Sequence, residues 1–489
     1  MGRDAKRWLQ DHPEELCAAV LFAYFAARLI YLALSLHPAV PPDELTHYGR
    51  SVAFSRTFLV PDDSRGTHAL GLLTHRPYLY YWAMGRLVPL SFLPLSAHPV
   101  PDTVFLRLAN ALLGMLCAVY AYRWIRLVSS DRLVRIFFLL LFTNTLMLTG
   151  ISAAIHYDNG ANLLAAMSIF YLFAWLERGT PNALAAWLLC SLAGLLVKFA
   201  LLPLVALSGL LLLLRDWRAL RRFPTALRAW LWPPRLAPAA LAVAISLAGG
   251  LALSLYGGNW LHFGSLEPPA DAVVGLESAL ENRIFARDWI VQSFRAGELE
   301  YADALAMTER IERPGDRSDA KALLAAARTP DEALLGPLSY AAAWGRQVGA
   351  SALGYLGHLR MLKSDLALLP WLAMLALAGG AFVVQQFRRA AELPAMRGAA
   401  LLVVGYVMVL LWLVHYPIYR ASHHPELAVQ GRYLFPVWVP LCGLVAFYLL
   451  HYFPRPLRVA LAFAAGAYLL WGDLPFFVSN LEPRWLAQR

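Results

Sequence analysis

Residues 17–36 read CAAVLFAYFAARLIYLALSL, and residues 37–48 continue HPAVPPDELTHY. The first segment is apolar apart from Arg28 and has the length of one bilayer crossing. It is too long for a signal-peptide core and lacks a small-residue cleavage site, so it is expected to stay as a first span. The second segment is a change of chemistry. Pro41 and Pro42 fix the chain's exit. Asp43 and Glu44 then stand side by side, with His47 one helical turn further on. An N-cap needs one acid at such a place. It needs neither the second acid nor the histidine.

Apolar runs recur along the chain, at roughly 103–122, 136–153, 160–176, 236–256, 366–384, 399–416, 433–451 and 457–473. The composition agrees: 59% of the residues are hydrophobic and 15% charged, against about 25% charged in soluble domains. The stretch 183–214 is too long for one helix and short for two, and Lys198 and Pro203 interrupt it. Arginines crowd four short loops. Arg123, Arg126, Arg132 and Arg135 mark one, and Arg215, Arg218, Arg221, Arg222, Arg228 and Arg235 another. Arg388, Arg389 and Arg397 mark a third, and Arg455 and Arg458 the last. The positive-inside rule assigns all four to the cytoplasm, so 183–214 must leave and return as a tight hairpin with Lys198 near its tip. The expectation is an all-α polytopic bundle of about eleven spans, with the N-terminus in the cytoplasm and the C-terminus outside.

Three parts follow from this topology. Residues 1–256 form an N-terminal transmembrane module whose first outer loop, 37–102, carries the acids. Residues 257–365, rich in Ala, Glu and Arg, form a helical cap, and 366–489 supply the C-terminal transmembrane helices. The net charge of +10 sits mostly in the inner loops, and no aromatic-plus-basic nucleic-acid module appears. Cys17, Cys117, Cys190 and Cys442 lie within or beside apolar runs and show neither metal nor disulfide spacing.

Further polar groups gather where outer loops meet spans. The first loop continues with His75, Arg76 and the aromatic run Tyr78 to Trp82, including Tyr80. Such aromatics suit an interface belt or a sugar face. The loop between the third and fourth spans holds His156, Tyr157 and Asp158; the acid either caps the next helix or faces the first-loop acids. Lys198, inside an apolar hairpin, must pair or line a polar cavity, and a phosphate would suit it. Arg28 is expected in a structural ion pair. The last outer loop ends in Gln430-Gly431-Arg432-Tyr433, where Arg432 could grip phosphate bidentately or anchor the helix at the headgroups. His423 and His424 lack a spaced third ligand, so no metal site is assigned and a divalent cation is unsupported by spacing.

In this order and topology the motifs resemble a family. PPDE follows the first span, HRPYLYY comes later in that loop, an Asp lies between the third and fourth spans, LLVKFALLPL forms a hairpin, and QGRYLFP precedes a late span. The pattern, from about Arg28 to Pro440, is similar to a bacterial polytopic membrane family of unassigned function related to the GT-C superfamily of glycosyltransferases. The resemblance implies a helical bundle with interfacial helices in the first outer loop and a GT-C-like N-terminal module. It implies sugar transfer from a polyprenyl-phosphate or -diphosphate donor to an extracytoplasmic glycan, lipid or protein at the periplasmic side of a bacterial inner membrane. Asp43, Glu44 and Asp158 match the family's catalytic acids. His75-Arg-Pro stands where Pro-Pro is common, and Tyr157-Asp-Asn where Ser-Pro-Asp is common, so sugar and acceptor stay open. The WWD-type motif of oligosaccharyltransferases is absent from the sequence, so their metal requirement is not carried over.

On this basis Asp43 is expected to act as general base, with Glu44 orienting it or stabilising positive charge on the sugar. Lys198 and Arg432 would hold the phosphate. His47, His75, Arg76, Tyr80, His156, Gln430 and Tyr433 are the further candidates for substrate contact. A lipid-linked sugar flippase, or a polymerase or ligase using a diphosphate carrier, are the competing readings.

Overall fold

The computed structural model describes residues 12–38, 40–71, 74–91, 101–221, 236–311, 313–329, 334–355, 363–388 and 394–486. Arg222, Arg228, Arg235 and Arg389 of the basic loops lie outside these residues. Among the described residues eight helices are long and apolar enough to cross a membrane, or nine if one bent pair is a single span. Two shorter apolar helices, Pro181–Val197 and Phe199–Arg215, flank Lys198. Numbered in chain order, the helices that build the bundle and its site begin with α1 (Pro13–Ser35), α2 (Glu44–Ser55), α3 (Leu79–Leu87) and α4 (Pro101–Val128). They continue with α5 (Arg132–Thr143), α6 (Leu146–Ser152), α7 (Tyr157–Arg178), α8 (Pro181–Val197), α9 (Leu202–Arg221) and α10 (Leu236–Ala252). The later ones are α11 (Arg283–Arg295), α12 (Pro337–Gly354), α13 (Asp365–Arg388), α14 (Pro394–Met408), α15 (Trp438–Leu450) and α16 (Arg455–Trp471).

Helix α7 is the axis of the bundle, with α4, α8 and α9 packed around it. It begins at His156, whose side chain caps it, and ends at Gly179, whose φ of 64° stops the helix in the left-handed region. Pro181 then starts α8. The stretch 183–214 is two helices with a break between them. Lys198 is extended (φ −155°, ψ 122°) and separates α8 from a short 3-10 turn and α9. Tyr406 of α14 donates to the Ala200 carbonyl at the start of α9. Further along, Leu211 of α9 lies over Gly398 together with Phe173 of α7. Lys198 is therefore the point at which the apolar run breaks, with no proline at the break itself.

Helices α5 and α6 form one apolar stretch bent by 63° at the break between them. The break frees backbone carbonyls inside an apolar bundle, where an unpaired carbonyl costs several kcal/mol. Arg28, midway along α1, meets that cost. Its Nη2 donates to the Thr143 carbonyl at 2.9 Å and its Nη1 to Asn144 Oδ1 at 3.0 Å. The Asp473 carboxylate, also buried, balances its charge.

Helices α2 and α3, with 12 and 9 residues, are too short to span and lie in the segment after α1, as interfacial helices should. The described part of residues 257–365 consists of short helices joined by turns, with a small core of Ile290, Ala304 and Leu324. An isolated β-bridge joins Leu36 to Leu486. Beside it the His37 N–H donates to the Trp485 carbonyl at 2.8 Å.

Candidate functional site

Asp43 occupies the N-cap position of α2 but makes no capping hydrogen bond. Its φ of 58° lies in the left-handed region, which turns its side chain away from the helix start. The side chain is 42% exposed. Its Oδ2 accepts from Arg432 Nη2 at 3.3 Å, and its Oδ1 lies 3.9 Å from Arg283 Nη2. Glu44 goes the other way. It is fully buried and held by Arg107 of α4 through two parallel contacts of 2.7 and 2.5 Å. It also accepts the Ile155 N–H at 3.0 Å. Arg107 Nη1 donates to the Leu36 carbonyl at 2.6 Å, so one guanidinium ties the end of α1 to the start of α2. The adjacent acids thus occupy different environments. One faces an opening and the other anchors the turn.

The loop before α7 converges on the same place. His156 Nε2 lies 2.7 Å from Arg432 Nη1, and its Nδ1 lies 3.1 Å from the Asp158 N–H. A neutral imidazole has one lone pair, so it serves one of these donors at a time. Burial, then the Arg432 and Lys198 charges, push the His156 pKa well below its ordinary value and keep the ring neutral. His47 is neutral for the same reason: burial lowers its pKa, with His156 and the nearby arginines adding to the effect. Its Nδ1 meets the Tyr81 hydroxyl at 2.8 Å, and its ring centre lies 4.3 Å from that of His156. Its Nε2 is buried without a partner. Asp158 does not cap α7. Its Oδ1 accepts from Lys198 Nζ at 2.5 Å, and that ammonium sits 4.7 Å from the centre of the Tyr157 ring and 5.5 Å from that of Tyr433.

The other sequence candidates are distributed around this centre. Arg76 pairs with Glu267 of the cap and lines the same cavity. His75 meets Asn259 Oδ1 at 2.8 Å, and Tyr80 donates to Asn110 Oδ1 at 2.9 Å; neither lines the cavity. Gln430 precedes the short helix carrying Arg432, and its Oε1 is buried without a partner. Gly431 lets that helix approach α12: a Cβ there would stand 2.3 Å from the Ala352 nitrogen. Three basic groups were not singled out from the sequence. Arg107 carried a readable signal, a charge inside an apolar run. Arg50 donates to the Tyr81 hydroxyl at 2.9 Å, and Arg283 arrives from the cap; neither stands out locally.

Some of these groups open into a cavity of about 860 Å³: Asp43, His47, Arg50, Lys198 and Arg283 line it, whereas Glu44, His156, Asp158, Gln430 and Arg432 do not. Its walls also include Leu202 and Pro203 of α9, and Tyr406, Val409, Leu410, Val414 and Ile418 from α14 and its continuation. Charged and apolar side chains share one space.

Asp43, His47 and His156 each offer a ligand atom within 4.8 Å of the others, a set suited to a divalent cation. The orphaned His47 Nε2 fits such an ion. The Arg432 guanidinium, however, already contacts the other two ligands. A metal would meet a fixed positive charge at close range. Arg432→Ala is therefore expected to bind Zn²⁺ or Mn²⁺ at least about tenfold more tightly than the parent protein, measured by calorimetry on the purified protein. Equal affinity would mean that the guanidinium does not guard this position.

Comparison of the sequence with known protein families and with curated proteins returns no match. Solved structures are similar in outline. The archaeal oligosaccharyltransferase AglB from Archaeoglobus fulgidus, in complex with an inhibitory peptide and a dolichol-phosphate, aligns with a TM-score of 0.46 and 13% identity. That alignment covers 99% of this chain and 57% of the enzyme, so the chain spans little more than half its length. ArnT from Cupriavidus metallidurans in the apo state aligns with a TM-score of 0.34 and 16% identity, over 88% of this chain and 77% of that one.

Proposed function

We propose that this chain is a membrane glycosyltransferase of GT-C type that moves a sugar from a polyprenyl-phosphate carrier to an acceptor hydroxyl. The observation that carries the reading is that cations, a carboxylate and apolar side chains line one cavity. A lipid phosphate has that division: an anionic head that needs cations and a hydrocarbon tail that needs Leu, Val and Tyr walls. The alignment to membrane enzymes of lipid-linked sugar chemistry is weak and adds no support of its own.

In this reading Asp43, exposed at the cavity, takes the acceptor proton as the hydroxyl oxygen attacks the anomeric carbon. The bond between that carbon and the phosphate oxygen breaks, its electron pair stays on the phosphate, and the anomeric centre inverts. Arg432 and Lys198 stabilise the charge that develops there. Phosphate leaves without a proton, so no general acid is required. Glu44, held by Arg107, sets the turn that aims Asp43, and Asp158 holds Lys198 in place. The paired acids divide the work between aiming and chemistry. The reading places the site on the periplasmic side of a bacterial inner membrane, with the N-terminus in the cytoplasm, and the acceptor as a glycan, lipid or protein.

The test is turnover. Proteoliposomes containing the purified protein, given radiolabelled polyprenyl-phosphate sugars and a bacterial envelope extract as acceptor, should release polyprenyl phosphate and label the extract. Release of the diphosphate instead would assign the chain to the polymerase or ligase class. Movement of intact donor across the bilayer with no bond cleaved would make it a flippase and end the proposal.

A further inference from the structure

Arg283 comes from the cap, far in sequence from the motifs that mark the site, yet it reaches Asp43. It is the first residue of α11, behind the Asn282 cap, whose side chain accepts the Ile284 and Phe285 N–H groups. Asp316 of the cap fixes Arg283 Nη1 at 2.5 Å and leaves Nη2 facing Asp43 Oδ1. On the opposite side Asp43 Oδ2 meets Arg432. One carboxylate is therefore bracketed by two guanidiniums, one from the bundle and one from the cap.

A carboxylate so engaged is poorly placed to accept a proton, because both of its oxygens face cations. A phosphate also presents neighbouring anionic oxygens, and the Nη2 groups of Arg432 and Arg283 that face the two oxygens of Asp43 could each take one of them. We infer that the Asp43 carboxylate is a placeholder for the donor phosphate: the lipid phosphate takes Arg432 and Arg283 from Asp43, and only then is Asp43 free to act as base. This rests on the glycosyltransferase reading and deepens it, by adding a phosphate-binding residue from the cap and by making the base dependent on donor occupancy. Without donor, the acid that would activate water or acceptor is neutralised. With donor, the phosphodiester carries one negative charge, and bond cleavage raises it to two. The two arginines therefore bind the departing phosphate more tightly than the donor, which is the condition for stabilising the transition state.

Farnesyl phosphate, which has the head and a short tail but no sugar, is the probe, and its binding is measured by calorimetry. Arg283→Gln should weaken it by about tenfold or more, the usual effect of removing a charge-assisted hydrogen bond, and should leave farnesol binding unchanged. Arg283→Lys should restore part of the loss. Asp43→Asn should tighten farnesyl phosphate binding, since the competing anion is gone, and the gain should shrink when Arg283→Gln is combined with it. In turnover, Arg283→Gln should raise the donor KM more than it lowers kcat. Unchanged or weaker binding by Asp43→Asn, or equal loss of farnesyl phosphate and farnesol in Arg283→Gln, would overturn the inference. Sugar transfer by the parent protein with unchanged farnesyl phosphate affinity in Arg283→Gln would sink this inference alone. The expected binding pattern with no transfer from any polyprenyl-phosphate sugar would instead remove the glycosyltransferase reading.

Discussion

Asp43→Asn is expected to lower sugar transfer by about a hundred- to ten-thousandfold, the range in which a positioned general base acts. The substitution isolates charge better than most. Asp43 sits at φ 58°, and asparagine is among the few residues that adopt the left-handed region readily. The turn should therefore survive, and the thermal unfolding midpoint in detergent should stay close to that of the parent. Asp43→Ala, by contrast, would mix loss of the base with backbone strain. Transfer assays on both variants, with melting curves beside them, separate the effects. Normal turnover by Asp43→Asn would remove it as the base and point to a water or another group at the cavity.

A second large effect is expected at a residue that never meets substrate. Arg107→Met should destabilise the folded protein by about 3–5 kcal/mol, because it leaves the Glu44 carboxylate buried and short of partners. The two side chains are fully buried, and the guanidinium also carries the Leu36 and Ala33 carbonyls. Adding Glu44→Gln to Arg107→Met should recover part of the loss, since the uncompensated charge is then gone. Melting temperatures of the two single variants and the double variant give the comparison. A single Arg107→Met variant as stable as the parent would mean that the pair contributes little and that the turn is held by its prolines.

The helical architecture was legible in the sequence because the bilayer imposes one length scale and one polarity on every crossing. The run at 17–36 and the break at Lys198 could be read from local composition, since a lysine in an apolar hairpin has few places to go. The motif ends were also visible as clusters of polar residues at span mouths. What local reading lacked was pairing. Glu44 looks equivalent to Asp43 until Arg107, 63 residues later, is seen to hold it. Arg28 signalled an ion pair, but its partner Asp473 lies 445 residues away. Arg283 belongs to a cap whose helices are ordinary in composition, and nothing near it in sequence marks it as a neighbour of Asp43. Contacts of this kind depend on how helices are arranged and leave no periodic trace.

The short pairing of Leu36 and His37 with Trp485 and Leu486 has a bearing on biogenesis. The segment that leads into the acidic turn is made hundreds of residues before the residues that clasp it. Until that clasp closes, the turn is defined by its prolines, Arg107 and the Ile155 N–H. A nascent chain would thus carry Asp43 in a less firmly held loop until the residues around Trp485 have been made.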